Sequence, residues 1–170
     1  MNKPTSTLVT DSREQLPLEF HNGLFDKYEV GCLAFGDYGL FLGGNQVPVV
    51  FERKGLGDLF GTMGKGYPRF KNEMERASHM HCHMILAIEG SEKDVWCGYE
   101  HSTISGDTML KKLAMLRVRY DLEVLFFNNR REMARWIEEI FLAVIRNYSI
   151  ETKLLEKEKA PVKIGLKELK

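Results

Sequence analysis

Residues 47–61 read VPVVFERKGLGDLFG, and this stretch decides the predicted fold. Its first half is mostly β-branched and predicts a strand, which ends in a cluster of charged residues and is followed by Gly55. The glycine allows the chain to turn, and we expect a helix to begin at Gly57 or Asp58. A strand that leads directly into a helix is typical of α/β proteins, so this stretch favours that class.

Strands and helices alternate on both sides of this stretch. Apolar, β-type runs predict strands at 8–10, 28–34, 39–42, 47–54, 84–89 and 123–127. Helical patterns predict helices at 68–79 and from the Ser105 cap to Arg119. Strands interleaved with helices indicate an α/β sandwich.

The last predicted helix has the clearest pattern, because Asn129 can cap it with Glu132 at the capping-box spacing. Its apolar residues recur at helical spacing along one face, and they are Met133, Trp136, Ile137, Ile140, Phe141, Val144 and Ile145. Such a stripe is typical of a core face, and a contact between subunits is the alternative.

The composition is that of a globular protein. The 170 residues are 44% hydrophobic and 28% charged, which suits one domain at 1–150, followed by a charged tail at 151–170 that we expect to be flexible. No window approaches the roughly 18 apolar residues of a membrane span, and no secretory signal opens the chain. The irregularly spaced Cys32, Cys82 and Cys97 favour free thiols. We expect an intracellular protein, cytoplasmic in a prokaryote or virus and nuclear in a eukaryote.

The charged end of the central strand brings a carboxylate and an ammonium side by side. Side chains alternate across a strand, so Glu52 and Lys54 emerge on one face and Arg53 on the other. Glu52 can bind a hard cation such as Mg²⁺, while Lys54 can orient an attacking water or neutralise charge on a phosphate. Asp58 follows about one helical turn later, where it can hold a metal-bound water or fix Lys54. The pattern indicates a metal-dependent hydrolase.

Two further acidic clusters stand next to predicted strands. Residues 35–44 read FGDYGLFLGG, and their glycines are compatible with a tight hairpin that brings Asp37 towards Glu52. Residues 11–14 read DSRE and follow the first predicted strand, where α/β proteins commonly place functional residues. A single charged strand end is usually solvated surface, but three such clusters together favour a catalytic site.

The clusters occur in the order DSRE, GDY and ERKxxxD, the last as ERKGLGD at 52–58. In this order they resemble the motifs of the XPF (xeroderma pigmentosum group F) nuclease family. The motifs cover residues 8–90, and the layout at 119–148 is similar. The resemblance implies a restriction-endonuclease-like fold with a central mixed β-sheet flanked by α-helices. It also implies cleavage of branched, flapped or forked DNA with Mg²⁺ or Mn²⁺.

The resemblance implies a role for each matching residue. Metal binding falls to Asp37 and Glu52, with Asp58 close by, and Lys54 corresponds to the catalytic lysine. The remaining motif residues would support the site or contact the DNA backbone, and they are Asp11, Arg13, Glu14 and Arg53.

The expected DNA recognition departs from that of the family. Its members usually carry tandem helix-hairpin-helix modules after the nuclease domain, whereas this chain continues into a short charged tail. With a formal net charge of zero, we expect weak, salt-sensitive binding to DNA. We therefore expect a homodimer, with the apolar stripe as a candidate interface, or a separate DNA-binding partner. A noncatalytic DNA-binding scaffold subunit of a nuclease complex is the alternative to an active endonuclease.

Two other features have ordinary explanations beside functional ones. Residues 79–83 read HMHCH, but strand alternation separates His81 and His83 from Cys82, and no second ligand pair follows, so we predict no zinc site. Arg69 lies among other cations on the helix after the central strand. It can bind DNA phosphates or belong to a solvated helix face.

Overall fold

The computed structural model describes residues 3–159 of the chain, with side chains for residues 3–149. The strands are β1 (Ser6–Asp11), β2 (Lys27–Gly31), β3 (Tyr38–Leu42), β4 (Asn45–Gly55), β5 (His83–Glu89) and β6 (Glu123–Phe127). The helices are α1 (Leu56–Met63), α2 (Tyr67–His79), α3 (Glu92–Cys97), α4 (Gly106–Tyr120) and α5 (Arg130–Lys159).

The strands form one six-stranded sheet in the order β2-β1-β3-β4-β5-β6. β3 is antiparallel to both β1 and β4, whereas β2 is parallel to β1. From β4 through β5 to β6 all pairs are parallel. The sheet is therefore mixed, as predicted, and its parallel half is built from strand–helix–strand crossovers.

The alternation of side chains along β4 divides the core into two layers. Val50 packs on one face of the sheet with residues of α1, α2 and α4. Phe51 packs on the other face with residues of α5. Helices therefore cover both faces of the sheet, and the α/β sandwich is confirmed.

The predicted strands and helices are all present, and the differences lie at their ends and in α3. The strand predicted at 28–34 ends at Gly31, because the Leu33 N–H donates to Asp11 Oδ2 at 2.7 Å. α3 lies outside the predicted elements because its six residues are too few to show a helical period. Its sequence signal is the capping box between Ser91 and Asp94.

The apolar stripe of α5 belongs mainly to the core. Met133, Ile137 and Phe141 are fully buried, whereas Trp136 is 47% exposed. The core interpretation is confirmed for these buried residues, so they cannot also form a subunit interface. None of the described helices has the length and apolar character that crossing a bilayer requires.

α5 begins at the predicted place and extends further than the predicted domain. The Glu132 N–H donates to Asn129 Oδ1 at 2.9 Å, and Asn129 Nδ2 donates to the Glu132 carboxylate at 2.8 Å. The helix continues to Lys159, past the predicted boundary at residue 150. Residues 160–170 of the predicted flexible tail lie outside the described residues, so this division of the chain stays a prediction.

Candidate active site

The predicted β3–β4 hairpin is present, and its antiparallel register places Asp37 opposite Glu52. Gly43 and Gly44 form its turn, with φ angles of +58° and +85°. Glycine adopts these positive angles without the steric penalty of a side chain, so the two strands can return tightly.

Gly36 allows the close approach that fixes Asp37. Its φ is +70°, and a Cβ at this position would lie 2.8 Å from the carbonyl oxygen of Phe51. The Asp37 N–H donates to that carbonyl at 2.7 Å, and the Arg53 N–H donates to Asp37 Oδ2 at 2.7 Å. The backbone of β4 therefore positions Asp37, and the other carboxylate oxygen, Oδ1, has no hydrogen bond from the described residues.

Glu52 and Lys54 lie on the same face of β4 and form a close ion pair, with 2.5 Å between Lys54 Nζ and Glu52 Oε1. Glu52 is 7% exposed as a whole residue, and the Lys54 side chain is 20% exposed. Burial raises the pKa of Glu52, against the opposing charge of Lys54. Burial alone would lower the pKa of Lys54, but the charge and hydrogen bond of Glu52 outweigh it and raise that pKa. The lysine is therefore an ammonium at neutral pH.

The site holds more negative than positive charge. Burial and the nearby charge of Glu52 raise the pKa of Asp37 to about 7 from 3.8, despite the hydrogen bond from the Arg53 N–H. Lys54 compensates only part of the charge of the two carboxylates. An additional cation beside Asp37 and Glu52 would relieve their repulsion. The excess negative charge of these carboxylates is therefore the electrostatic condition that favours binding of a metal ion.

We predict that Asp37→Asn stabilises the metal-free protein at high pH. A carboxyl with a raised folded pKa opposes folding as the pH rises from about 4 to about 7, because the native state resists losing the proton. The variant has no such proton to lose. In chelator, its melting temperature should therefore exceed that of the wild type at about pH 8 and match it near pH 4.

The control for this prediction is Asp58→Asn, which changes an exposed carboxyl. It should give no such pH-dependent gain. Equal pH profiles for Asp37→Asn and the wild type would contradict the electrostatic account of the site.

The Asp58 side chain shares no hydrogen bond or ion pair with the described groups around these two carboxylates. It is exposed in the first turn of α1, and its side chain forms no hydrogen bond or ion pair with the described residues. Within the described residues, no group of three or more His, Cys, Asp or Glu side chains is arranged to hold a metal ion. The predicted role of Asp58 in metal binding stays a prediction, as does the absence of a zinc site at 79–83.

Glu73 is an acidic residue near the site that was not among the predicted site residues. It lies on α2 between the buried Phe70 and Met74, and its charge raises the pKa values of both Glu52 and Lys54. The helix therefore brings a further carboxylate towards this face of β4. The signal in the sequence was its place on the buried side of the helix that follows the ERK motif.

Asp11 and Arg13 form a separate structural unit at the end of β1. Arg13 Nε donates to Asp11 Oδ1 at 2.7 Å, and the Leu33 N–H donates to Asp11 Oδ2 at 2.7 Å. Burial would raise the pKa of Asp11, but these hydrogen bonds lower it below its ordinary value. The buried carboxylate thus ties the loop after β2 to β1, and a catalytic role for Asp11 stays a prediction.

We predict that Asp11→Ala lowers the free energy of unfolding by about 2–3 kcal/mol, because the buried Leu33 N–H loses its acceptor. Arg13→Ala should cost less, since the Arg13 side chain is 66% exposed and its ion pair is screened. The lowered pKa means that the contribution of Asp11 is present above its unfolded pKa of about 4 and is lost as the pH falls through the folded value. Urea unfolding at neutral and acid pH measures both effects. Unchanged stability with lost cleavage would instead assign Asp11 to catalysis.

Arg53 lies on the opposite face of β4 from Lys54 and joins two acidic residues. Its Nη2 donates to Glu14 Oε1 at 3.0 Å, and its Nη1 lies 3.4 Å from Glu89 Oε2. The Arg53 side chain is only 10% exposed. Its predicted contact with DNA stays a prediction, and the observed contacts are structural. Glu89 was not predicted as a site residue, and its signal in the sequence was its position at the end of a strand parallel to β4.

The candidate DNA-binding cations differ in how available they are. Arg69 is exposed on α2, and its side chain has no ion pair with the described residues. Arg13 is also exposed but is bound to Asp11. The predicted contacts of Arg69 and Arg13 with DNA therefore stay predictions.

Comparisons with known proteins agree with the fold and the motifs. The ERCC4 domain model matches residues 10–140. The structure of XPF from Aeropyrum pernix superposes with a TM-score of 0.60 and 18% identity, covering 82% of this chain and 61% of that chain. XPF from Aeropyrum pernix in complex with DNA gives a TM-score of 0.56 and 15% identity, covering 88% of this chain and 66% of that chain. No curated protein is similar enough to match.

These matches differ in what they show. At such identities, the structural likeness shows the fold alone, which is the predicted restriction-endonuclease-like fold with a mixed sheet flanked by helices. This chain spans 61% of the length of the first matched structure. The family match extends from the end of β1 into α5 and includes the three acidic clusters. The chain therefore belongs to the ERCC4 domain family of nucleases.

Proposed function

We propose that this protein is a divalent-metal-dependent endonuclease that hydrolyses phosphodiester bonds in DNA, with a preference for branched, flapped or forked substrates. The observation that carries the proposal is the convergence of Asp37, Glu52 and Lys54. Two largely buried carboxylates with raised pKa values lie beside one ammonium group. A surface ion pair needs no such concentration of negative charge, whereas a metal-assisted hydrolase does.

The two carboxylates fit Mg²⁺ or Mn²⁺. Mg²⁺ is commonly held by one or two carboxylates together with water and substrate phosphate, so a cage made only of protein ligands is unnecessary. Asp37 and Glu52 would hold the ion, and Asp58 is a further candidate ligand. When bound, the ion would polarise the scissile phosphate and favour ionisation of an attacking water.

Lys54 supplies a fixed positive charge in this proposal. Its raised pKa keeps the amine protonated, so it acts as a hydrogen-bond donor rather than as a base at neutral pH. Glu52 holds Nζ in place through the 2.5 Å contact. From there Lys54 can orient the attacking water and neutralise charge that develops on the phosphate.

DNA is the proposed substrate on two grounds. The family is one of nucleases, and a protein with the same fold, XPF from Aeropyrum pernix, has been solved in complex with DNA. In this chain, Arg69 on α2 offers an exposed guanidinium for a phosphate. The preference for branched DNA comes from the motif resemblance.

A cleavage assay tests the proposed function. Labelled flap, fork, nicked and linear DNA are incubated with the protein in Mg²⁺, in Mn²⁺ and in chelator. We expect cuts near the branch that require the metal. A protein that binds these substrates and cuts none of them, with either metal, would contradict the proposal and favour the noncatalytic scaffold.

The proposed assembly is a homodimer or a complex with a separate DNA-binding partner, because the domain has zero formal net charge and should bind DNA weakly. The buried part of the α5 stripe cannot provide the interface. Light scattering together with fork titrations at several salt concentrations tests this point. A strict monomer with tight, salt-resistant binding to forks would contradict it.

A further inference from the structure

A cleft lies at the start of α5, on the face of the sheet opposite to the one that carries Glu52 and Lys54. It has a volume of about 470 Å³, within the roughly 300–1,000 Å³ of typical ligand sites. We refer to it as the α5 cleft, and its lining residues are Pro17, Glu19, Phe20, His21, Arg130 and Arg131. The segment between β1 and β2 crosses the first turn of α5 here and leaves the space between them.

The walls of the α5 cleft are held by hydrogen bonds between distant parts of the chain. Arg130 Nη2 donates to the carbonyl oxygens of Leu16 and Pro17 at 2.7 and 2.9 Å. The His21 N–H donates to Glu138 Oε1 at 2.6 Å, and its Nδ1 lies 2.9 Å from Oε2 of the same carboxylate, whose side chain is fully buried. The crossing segment is therefore tied to α5 at two points, and the cleft is a preformed feature.

A chain of polar contacts connects the α5 cleft to the active-site strand. Glu89 Oε2 lies 3.4 Å from Arg53 Nη1 and 3.8 Å from Arg130 Nη1. Glu14 Oε1 accepts from Arg53 Nη2 at 3.0 Å and from the Leu16 N–H at 2.8 Å. Because Arg130 also binds the Leu16 carbonyl, these contacts close a ring. The cleft is thus fixed relative to Glu52 and Lys54, on the same strand as Arg53.

Arg131 is the cation in the cleft that remains available for a ligand. It is exposed, and its side chain forms no hydrogen bond or ion pair with the described residues. Arg130 and His21 are engaged by Glu89 and Glu138. The lining also includes the exposed acid Glu19.

Phe20 adds an aromatic surface beside this cation. It is partly buried, and its ring packs edge-on against Tyr38, with 5.3 Å between ring centroids. Sites for single-stranded nucleic acid combine cations that follow the phosphates with aromatic side chains against which bases pack. A concave space of this size admits a nucleotide from a single strand, whereas the stacked bases of a duplex remain inside the helix.

We propose that the α5 cleft binds single-stranded DNA of the substrate, with Arg131 on a phosphate and Phe20 against a base or sugar. The inference rests on the proposed function, because it assigns the cleft to an unpaired strand beside the junction that is cut. It places the recognition of a flap on the first turn of α5 and the segment before β2. The ring through Arg53 then determines the distance between the bound strand and the cleavage site.

The test is a binding measurement that needs no cleavage. Fluorescence anisotropy follows a labelled oligothymidine and a duplex of equal length in chelator, at several salt concentrations. Arg131→Ala should weaken binding of the single strand by roughly three- to tenfold and reduce its salt slope by about 0.7. Duplex binding should change much less.

Arg146→Ala is the matched control. It removes one exposed arginine from the same helix, roughly 22 Å further along, and leaves the net charge equal to that of Arg131→Ala. Phe20→Leu keeps the apolar packing and should also weaken binding of the single strand more than binding of the duplex. Equal affinities of Arg131→Ala and Arg146→Ala for the oligothymidine would overturn the proposal. The proposal would also be overturned if Arg131→Ala lost the same amount of affinity for the single strand and for the duplex.

The binding and cleavage experiments separate the two proposals. If the protein cuts no DNA but Arg131→Ala weakens its binding to the single strand, the proposed role of the cleft stands and the nuclease function is rejected. If the protein cuts forks but Arg131→Ala and Arg146→Ala bind the single strand equally well, the nuclease function stands and the proposed role of the cleft is rejected. Circular dichroism of each variant checks that it is folded.

Discussion

Glu52→Gln should reduce cleavage by roughly a thousandfold or more. A metal ion contributes several kcal/mol to charge stabilisation in the transition state, and each 1.4 kcal/mol corresponds to about a factor of ten in rate. The substitution removes an anionic oxygen from the site with almost no change in volume. Single-turnover cleavage of a labelled flap at saturating Mg²⁺ measures the loss, and Asp37→Asn should behave in the same way.

The fold should tolerate Glu52→Gln, although Glu52 is buried and paired with Lys54. The wild-type site has two carboxylates for one ammonium, so the variant keeps Asp37 and Lys54 as a balanced pair. Glu92→Gln, which changes an exposed glutamate on α3, is the control and should retain full activity. Near-native cleavage by folded Glu52→Gln would show that the metal site is assigned to the wrong residues.

Lys54→Ala should abolish turnover while metal binding is kept or strengthened. The substitution removes the only ammonium that contacts Glu52 in the described residues, so the negative charge at Asp37 and Glu52 attracts a cation more strongly. Calorimetric titration with Mn²⁺ measures binding, and the flap assay measures turnover. Lys65→Ala, which removes an exposed lysine after α1, should change neither.

Lys54→Arg should restore little activity. The side chain of Lys54 is 20% exposed and its Nζ lies 2.5 Å from Glu52, so the compact ammonium has a defined position. Arginine keeps the charge, but its planar guanidinium is larger and donates in a fixed fork. Full turnover by Lys54→Arg would mean that Lys54 serves only as a diffuse positive charge.

Much of the fold could be predicted from local patterns. The β-branched run before Glu52 and the glycine after Lys54 predicted β4 and the turn into α1, and both are present. The capping signal at Asn129 predicted the beginning of α5. These features depend on side-chain alternation, turn geometry and helix capping, which act over a few residues and can be recognised in a sequence alone.

The surroundings of the site could be predicted only in part. The motif grouped Asp11 with Glu52, but the folded chain binds Asp11 to Leu33 and Arg13 at the end of β1. Glu73 approaches the site because of the way in which α2 packs on the sheet. A linear pattern carries no information on that packing angle.

The sequence by itself determined that Glu52 and Lys54 share a face and that Asp37 returns beside them, because strand alternation and a two-glycine turn are local properties. Only the tertiary structure decided that Arg53 would be enclosed by Glu14 and Glu89, and that Arg130 would hold Leu16 to form the α5 cleft. The partners in these contacts are far apart in the chain. They meet because the sheet order places β5 beside β4 and because α5 packs across the face that carries Arg53.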